Sequence, residues 1–142
     1  MTVQDLMSAK GVKPSALRLQ IYGYLNSHRT HPTVDEIHSA LAETYPTLSK
    51  TTVYNTVKLL SETGIIKPIS IEGFRTRYDA NAAFHGHFLC KNCGMVYDVS
   101  LTDCPAFPDK DFRVDDKDVY YSGCCKSCLN KNKKINFEKE QQ

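Results

Sequence analysis

Residues 49–64, SKTTVYNTVKLLSETG, decide the fold class because they form one readable helix with two unlike faces. At 100° per residue, Val53, Val57 and Leu60 share a narrow apolar stripe, which predicts that this face packs into a core. Gly64 stands where a C-terminal glycine ends a helix. The opposite face carries four polar or aromatic residues: Thr51, Tyr54, Asn55 and Lys58.

Two further helices precede this one. Pro14 and Ser15 mark the start of the first, whose apolar residues recur at four-residue steps up to the polar break NSHRTHPT. Thr33 and Glu36 have capping-box spacing and open the second helix. The break YPTLS then leaves Ser49 as the N-cap of the third helix. The apolar residues of the first two helices are Leu17, Ile21, Leu25, Val34, Ile37 and Leu41.

A basic-tipped hairpin follows the helices. The segments IIKPISI, residues 65–71, and RTRYD, residues 75–79, alternate as two strands and are joined through EGF. Three short helices followed by a hairpin is the order of a winged helix, whose last helix enters the DNA major groove. We therefore predict a winged-helix DNA-binding domain over residues 1–80.

The pattern changes after a hinge at residues 81–84. Three short strands, HFLC, MVYDVS and DVYYSG, alternate with cysteine pairs over residues 85–142, which predicts a second small domain and an α+β chain as a whole. A weakly marked helical stretch is expected before the last strand, with PDKDF, residues 108–112, near its C-terminal end. The charged tail at residues 131–142 is expected to fray.

The cysteines of the second half form two C-x-x-C pairs. Cys90 and Cys93 make the first pair, and Cys125 and Cys128 make the second. Each pair forms a tight knuckle that presents both thiolates to one ion, so together they predict a closed, structural four-cysteine zinc site. A thiol-disulfide pair of the redox kind is the alternative. Two cysteines are left over as small buried residues or idle thiols: Cys104 and Cys124.

Two histidines lie beside the first cysteine pair. His85 and His87 alternate, so in a strand both imidazoles point to the same face. Asp79 and Asp98 lie nearby in the sequence. Imidazoles and carboxylates suit iron(II), manganese(II) or zinc, which predicts a second metal site of a different chemical kind. The alternative is that the two histidines are solvated surface groups.

Composition limits which binding partners and which cellular compartment the sequence alone can predict. The 142 residues carry a formal net charge of +2, with nine Lys or Arg against seven Asp or Glu up to residue 84 and nine of each after it. This balance does not by itself predict a nucleic-acid partner, so that case rests on where the charges lie. The N-terminus lacks a secretion signal and no apolar stretch is long enough to span a membrane, so we expect a cytoplasmic protein with reduced cysteines.

The combination of motifs resembles the Fur (ferric uptake regulator) family of bacterial metalloregulators. The resemblance covers roughly residues 10–130 and is carried by HPTVDEI, TTVYNTVKLLSETGI, RYD ending six residues before HGHFLCKNCG, and the final CKSC. Asp98 indicates the peroxide-sensing PerR branch, because iron-sensing members usually have glutamate there. Phe84 and Gly86 stand where iron-uptake members often carry ligands of an additional site.

The resemblance implies a dimer with a winged helix, a hinge and an α/β dimerisation domain, and it assigns residues to sites. The structural zinc ligands are Cys90, Cys93, Cys125 and Cys128. The regulatory iron(II) or manganese(II) ligands are His31, Asp79, His85, His87 and Asp98. The oxidation-sensitive ligands are His31 and His85. The residues expected on DNA are Lys13, Arg18, Thr51, Tyr54, Asn55, Lys58, Arg75 and Arg77.

The function implied is a metal-dependent repressor that binds palindromic half-sites of a double-stranded DNA operator as a homodimer. It senses peroxide through iron-catalysed oxidation of a ligand histidine, without turnover, so we do not expect an enzyme. An iron- or zinc-uptake regulator of the same fold is the nearest alternative. A thiol-disulfide redox protein and a zinc-ribbon interaction module are alternatives from other classes.

Overall fold

The computed structural model describes residues 1–102 and 105–131. Contacts divide the chain into two compact units, Met1–Ala83 and Phe84–Gln142, here called unit 1 and unit 2. Cys104 and the charged tail beyond Lys131 lie outside the described residues. Among the residues described, no helix has the length and apolar character that crossing a membrane requires.

Unit 1 begins with four helices rather than the three expected. Thr2 and Asp5 form a reciprocal capping box on the first helix, which the sequence reasoning missed although the three-residue spacing was present. The predicted N-caps Ser15, Thr33 and Ser49 are confirmed, since each side chain accepts a backbone N–H from three residues further on. The helices are α1 (Val3–Ala9), α2 (Ala16–Ser27), α3 (Val34–Ala42) and α4 (Lys50–Glu62).

One hydrocarbon core holds these helices together. The predicted stripe of α4 is confirmed, because Val53, Val57 and Leu60 are all fully buried. Fully burying an aliphatic side chain stabilises the fold by about 1.5–3 kcal/mol. The buried residues that complete this core are Met7, Val12, Ile21, Leu25, Ile37, Leu41, Ile65, Ile66, Tyr78 and Ala80.

The predicted hairpin is present with shorter strands. Strand β1 (Lys67–Ile69) pairs antiparallel with β2 (Arg77–Asp79). Gly64, with φ of 74°, follows the last residues of α4, and Gly73, with φ of 78°, lies in the turn between the strands; both take the left-handed backbone that glycine adopts without strain. Helices followed by this hairpin confirm the winged-helix fold of unit 1.

Unit 2 is built on a three-stranded sheet. Strand β3 (Gly86–Cys90) lies between β4 (Val96–Val99), which is antiparallel to it, and β5 (Tyr120–Gly123), which is parallel. All three predicted strands are therefore confirmed. After β5 the chain turns helical over residues 126–131.

The helical stretch expected before β5 is wrong for the residues described between β4 and β5. Residues 109–112 form a turn, in which the Phe112 N–H donates to the Asp109 carbonyl at 3.4 Å. The Asp111 N–H donates to the Asp109 carboxylate at 2.9 Å. Aspartate side chains compete in this way for the N–H groups that a helix would use, and the stretch is rich in aspartate.

Candidate metal centres and nucleic-acid interface

Four cysteine sulfurs of unit 2 come together where two pieces of chain meet. Cys90 ends β3 and Cys93 follows in a turn, while Cys125 and Cys128 come directly after β5. All four sulfurs lie within 4.8 Å of one another. Gly94, with φ of 76°, closes the first turn, and its N–H donates to the Cys90 carbonyl at 2.9 Å.

The sulfur spacing fits zinc and does not fit disulfides. Cys90 Sγ lies 3.7 Å from Cys128 Sγ, and Cys93 Sγ lies 3.9 Å from Cys125 Sγ. A disulfide bond is about 2.0 Å long. A tetrahedral zinc with bonds of about 2.3 Å places its sulfurs roughly 3.8 Å apart. The residues present therefore fit a structural zinc ion, and the predicted cysteine cluster is confirmed.

Backbone hydrogen bonds favour the thiolate form of two cysteines in this cluster, Cys90 and Cys125. The N–H groups of Cys93 and Cys125 point at Cys90 Sγ, at 3.5 and 3.3 Å, and lower the pKa of the Cys90 thiol to about 6. The Cys128 N–H in the same way lowers the pKa of Cys125. Cys128 shows the opposite effect, since hydrogen bonding to the Cys125 sulfur raises its pKa to about 12. Metal binding would require deprotonated thiols, so a bound dication would favour the thiolate forms.

Tyr97 is a member of this site that the sequence reasoning missed. Its hydroxyl hydrogen-bonds with the Cys125 sulfur, which lowers the Cys125 pKa further and raises the pKa of Tyr97 to about 12. Groups that hydrogen-bond to metal ligands orient them and tune their basicity. The only sequence signal for Tyr97 is the alternation of side-chain direction along β4, which places it on one face of the sheet. That alternation does not predict which cysteine sulfur the tyrosine contacts.

The leftover Cys124 packs at the edge of the same cluster. It is half-buried, and the Asn92 amide lies 3.4 Å from its sulfur. Burial raises the pKa of the Cys124 thiol. Cys124 is therefore a packing residue beside the four ligand sulfurs, as one of the two readings of the sequence expected.

His85 and His87 of unit 2 share one carboxylate. His85 Nε2 lies 2.9 Å and His87 Nε2 lies 3.4 Å from the same Asp98 oxygen, Oδ1. Their ring centroids are 4.4 Å apart, as expected for imidazoles on one face of a strand. His87 is only 1% exposed, so the reading of both histidines as solvated surface groups is wrong.

Unit 1 contains a second imidazole–carboxylate pair. His31 Nε2 lies 3.5 Å from Asp79 Oδ2, and both side chains are 3% exposed. Asp79 ends β2 and accepts the Asn81 N–H at 2.8 Å. His31 takes a φ of 59°, the left-handed backbone that histidine adopts more readily than most residues. Without the resemblance His31 reads as an exposed loop residue, and its burial contradicts that reading.

Six of the residues expected on DNA offer side chains on the surface of unit 1. Tyr54 is 50% exposed and shares the outer face of α4 with Thr51, Asn55 and Lys58, all exposed. Lys13 and Arg75 are also exposed. Arg18 is half-buried and donates from Nη1 to the Lys13 carbonyl at 2.7 Å, which places these two basic residues together.

Arg77 corrects the expected DNA contacts. Its side chain is 9% exposed, its Nε donates to Glu72, and its Nη1 donates to the His31 carbonyl at 3.0 Å. Burial alone would raise the pKa of Glu72, but hydrogen bonds from Arg75 and Arg77 outweigh it and hold that pKa below its usual value. A guanidinium committed to buried partners is not available to a phosphate. Glu72, which the sequence reasoning missed, carries no motif signal.

A winged helix followed by a small α/β unit with a four-cysteine cluster defines the class of winged-helix metal-binding proteins. The model of the ferric uptake regulator family matches residues 9–119, and the chain belongs to that family. It is 32% identical over 126 residues to the peroxide-responsive repressor PerR of Staphylococcus aureus, covering 85% of each chain.

Solved structures of the same family share the fold. The ferric uptake regulator Fur of Helicobacter pylori, described with three functional metal binding sites, superposes with a TM-score of 0.67 at 20% identity, over 89% of each chain. The peroxide-sensing PerR of Streptococcus pyogenes superposes with a TM-score of 0.52 at 23% identity, over 89% of this chain and 90% of the other.

Proposed function

We propose that this chain is a metal-dependent, DNA-binding transcriptional repressor that senses peroxide. The observation that carries the proposal is the pair of donor sets of different chemistry. Four thiols suit a permanent zinc ion, whereas buried imidazoles paired with carboxylates suit an exchangeable iron(II) or manganese(II). The relatedness to a peroxide-responsive repressor at 32% identity supports the same function.

The proposed sites follow the family resemblance. Zinc holds unit 2 together, and one regulatory ion is bound by five residues drawn from both units. Because the ligands come from both units, binding of the ion would favour one arrangement of the chain over others, which is the coupling energy that a regulator needs. The five proposed ligands are His31, Asp79, His85, His87 and Asp98.

On DNA we propose a cytoplasmic homodimer bound to palindromic half-sites. The exposed face of α4 would lie in the major groove, where Tyr54 contacts thymine methyl groups and its polar neighbours contact base edges. The backbone contacts would come from Lys13, Arg18 and Arg75, and their loss would weaken binding to all sequences alike. Arg77 is left out of this set because its guanidinium is buried.

Peroxide would act on a ligand histidine. Bound iron(II) supplies the chemistry that activates hydrogen peroxide. One peroxide oxygen replaces a ring C–H hydrogen of His31 or His85 with a C–O bond, and the other oxygen leaves as water. The oxidised imidazole is a poorer metal ligand, so the regulatory ion is released. Without the ion, the repressor dissociates from its DNA operator. Each chain reacts once, so the protein is a sensor and not an enzyme.

The decisive experiment loads the zinc-containing homodimer with iron(II) or manganese(II), adds hydrogen peroxide, and follows operator binding and intact mass. One added oxygen on His31 or His85 and loss of operator binding are expected with iron only. Unmodified histidines and intact DNA binding after peroxide would reject peroxide sensing and leave an iron- or zinc-uptake regulator. Loss of DNA binding through oxidised cysteines would instead favour the thiol redox alternative.

Two variants sharpen this experiment. Asp98→Glu should keep metal-dependent DNA binding but blunt the peroxide response; an unchanged response would mean that Asp98 does not discriminate between the two branches. His85→Ala should abolish the metal response. The matched control is His28→Ala, because His28 is exposed and hydrogen-bonds only locally to the Tyr24 carbonyl.

A further inference from the structure

The buried Arg77 side chain contacts two other parts of unit 1: the loop that carries His31, and Glu72 in the turn between β1 and β2. Its Nη1 donates to the His31 carbonyl across 46 residues of chain, and its Nε donates to the buried Glu72 carboxylate. A third partner, a carboxylate oxygen of the half-exposed Glu36, lies 3.9 Å from the same Nη1. A buried guanidinium paired with a buried carboxylate is fixed in direction, because breaking the contact with Glu72 would leave a buried charge with little compensation.

The loop that carries His31 is held by β2 along its length. The Tyr78 N–H donates to the Pro32 carbonyl at 3.0 Å, and Thr33 forms an antiparallel bridge with Arg77. His31 itself lies just before these contacts, with its φ of 59° outside the common regions for a non-glycine residue. A backbone in this conformation persists only when its surroundings fix it.

Strand β2 therefore contacts His31 twice. Arg77 binds the backbone carbonyl of His31, and Asp79, two residues further along the same face of the strand, lies 3.5 Å from its ring. One contact sets the backbone from which the side chain projects, and the other receives the imidazole. The two contacts together determine where the His31 ring nitrogen can be.

We propose that Arg77 is a positioning residue, which fixes the backbone of the metal ligand His31 so that its imidazole is oriented for the regulatory ion. The inference rests on the proposed function, since it assigns a task to a residue that supports one of the proposed ligands. It separates two arginines that share the Glu72 carboxylate: Arg77 acts on metal binding, and Arg75, which points to solvent, does not.

The test measures manganese(II) affinity on the full-length, zinc-containing homodimer without DNA. Arg77→Met removes both hydrogen bonds and should weaken manganese(II) binding at least tenfold, which is about 1.4 kcal/mol. Arg77→Lys, which keeps the charge but cannot make both contacts, should lie between this variant and the wild type. Arg75→Met is the matched control, because it loses a partner of the same carboxylate and should keep the wild-type affinity within twofold.

Two further readouts separate positioning from general stability. In the zinc-containing protein without manganese(II), Arg77→Met should speed hydrogen exchange of the Tyr78 amide, which donates to the Pro32 carbonyl, while zinc content remains unchanged. Unfolding temperature is measured on every variant, and Arg77→Lys decides the case if Arg77→Met does not fold. A lowered unfolding temperature with wild-type manganese(II) affinity would overturn the inference, as would equal effects of the Arg75 and Arg77 variants.

Failure of the proposed function is distinguishable from failure of this inference. The regulatory site itself is rejected if the wild type binds no manganese(II), or if the His87→Ala variant binds manganese(II) with the same affinity as the wild type. The proposed role of Arg77 is then rejected too. If the wild type binds manganese(II) and loses it with His87→Ala, while both Arg77 variants bind like the wild type, only the positioning role is rejected.

Discussion

The two units have buried cores of different chemical composition. The core of unit 1 is hydrocarbon from four helices and the hairpin, with residues such as Ile21, Ile37 and Leu60 fully buried. Among the described residues of unit 2, the buried cluster consists of cysteine sulfurs with Phe88 packed against them. A unit of this size buries a smaller share of its surface than a larger domain does, so packing alone gives it only marginal stability. We therefore expect unit 2 to depend on a bound ion for stability, whereas unit 1 depends on the burial of apolar side chains.

Removal of zinc should give the largest effect. It should destabilise unit 2 while leaving the stability of unit 1 unchanged. Structural zinc contributes about 10–16 kcal/mol of apparent binding free energy in small zinc domains at neutral pH, and that energy is folding energy. Cys125→Ser, or a strong chelator, should therefore unfold unit 2, with fast hydrogen exchange in β3, while the amides of α4 stay protected. Peptide-resolved hydrogen exchange measures both units in one sample.

The control for zinc removal is Cys124→Ser, which changes a neighbouring sulfur outside the ligand set. This variant should retain one zinc per chain and the exchange pattern of the wild type. Equal loss of zinc from both variants would mean that the ligand set is wrong. Simultaneous loss of protection in α4 and β3 would mean that the two units do not differ as described.

Leu60→Ala should act in the opposite unit with a smaller effect. Leu60 is fully buried in the core of unit 1, and truncating such a leucine costs about 2–5 kcal/mol in lost transfer energy and cavity formation. Denaturant unfolding should show this loss while zinc content stays at the wild-type level. Lys58→Ala on the exposed face of the same helix should change stability by less than about 0.5 kcal/mol.

Ser49→Ala should cost less again, because it removes one local contact and no core. The Ser49 hydroxyl accepts the Thr52 N–H at 3.1 Å at the start of α4. Loss of such an N-cap costs typically about 1 kcal/mol. Ser49→Asp keeps an acceptor at the same place and should restore most of the stability, measured by the same denaturant unfolding. Equal losses from Ala and Asp would show that the cap is not the cause.

The smallest effect concerns the edge of unit 1, at α1. In the capping box the Thr2 backbone N–H donates to the Asp5 carboxylate, and the Thr2 hydroxyl accepts the Asp5 backbone N–H. Hydrogen bonding by the Thr2 backbone, and secondarily by its side chain, lowers the pKa of Asp5. Because the folded pKa is the lower one, this contribution is present above the usual pKa of about 3.9 and is lost as the pH falls through the folded value. An NMR titration of Asp5 should therefore have its midpoint below about 3.9.

Thr2→Ala is the control for this titration. It removes the hydroxyl but leaves the backbone N–H, so the midpoint of Asp5 should rise part of the way towards its usual value. Zinc content should not respond, because the change lies in the other unit. An Asp5 midpoint that does not move would assign the lowered pKa to the backbone alone.

The sequence predicted the elements that local rules determine. The caps Ser15, Thr33 and Ser49 depend on a hydroxyl and a nearby N–H, and the stripe of α4 depends on helical period, so both could be read from neighbouring residues. Each C-x-x-C spacing is likewise local, and the two spacings together predicted the four-cysteine cluster. Local rules also gave one false result: the helical stretch before β5, where aspartate side chains engage the backbone instead.

The parts that could not be predicted depend on contacts across long stretches of chain. Arg77 looks like an exposed wing arginine, and only its contact with the His31 carbonyl, 46 residues away, shows that it is buried. His31 reads as a loop residue until the fold brings Asp79 to it. Tyr97 joins the cysteine site only because β4 lies beside β3. In each case the pattern of neighbouring residues carries no information about the partner.

The parallel pairing of β3 with β5 has a consequence for how unit 2 reaches one structure. Cys90 is opposite Gly123 in this register, two residues before the second cysteine pair begins. A slip of one residue would shift β5 by about 3.3 Å, nearly the whole distance between two ligand sulfurs of a zinc site. A misaligned sheet could not assemble four thiolates around an ion. If the cluster binds zinc as proposed, zinc binding would therefore favour chains in which these strands are correctly aligned.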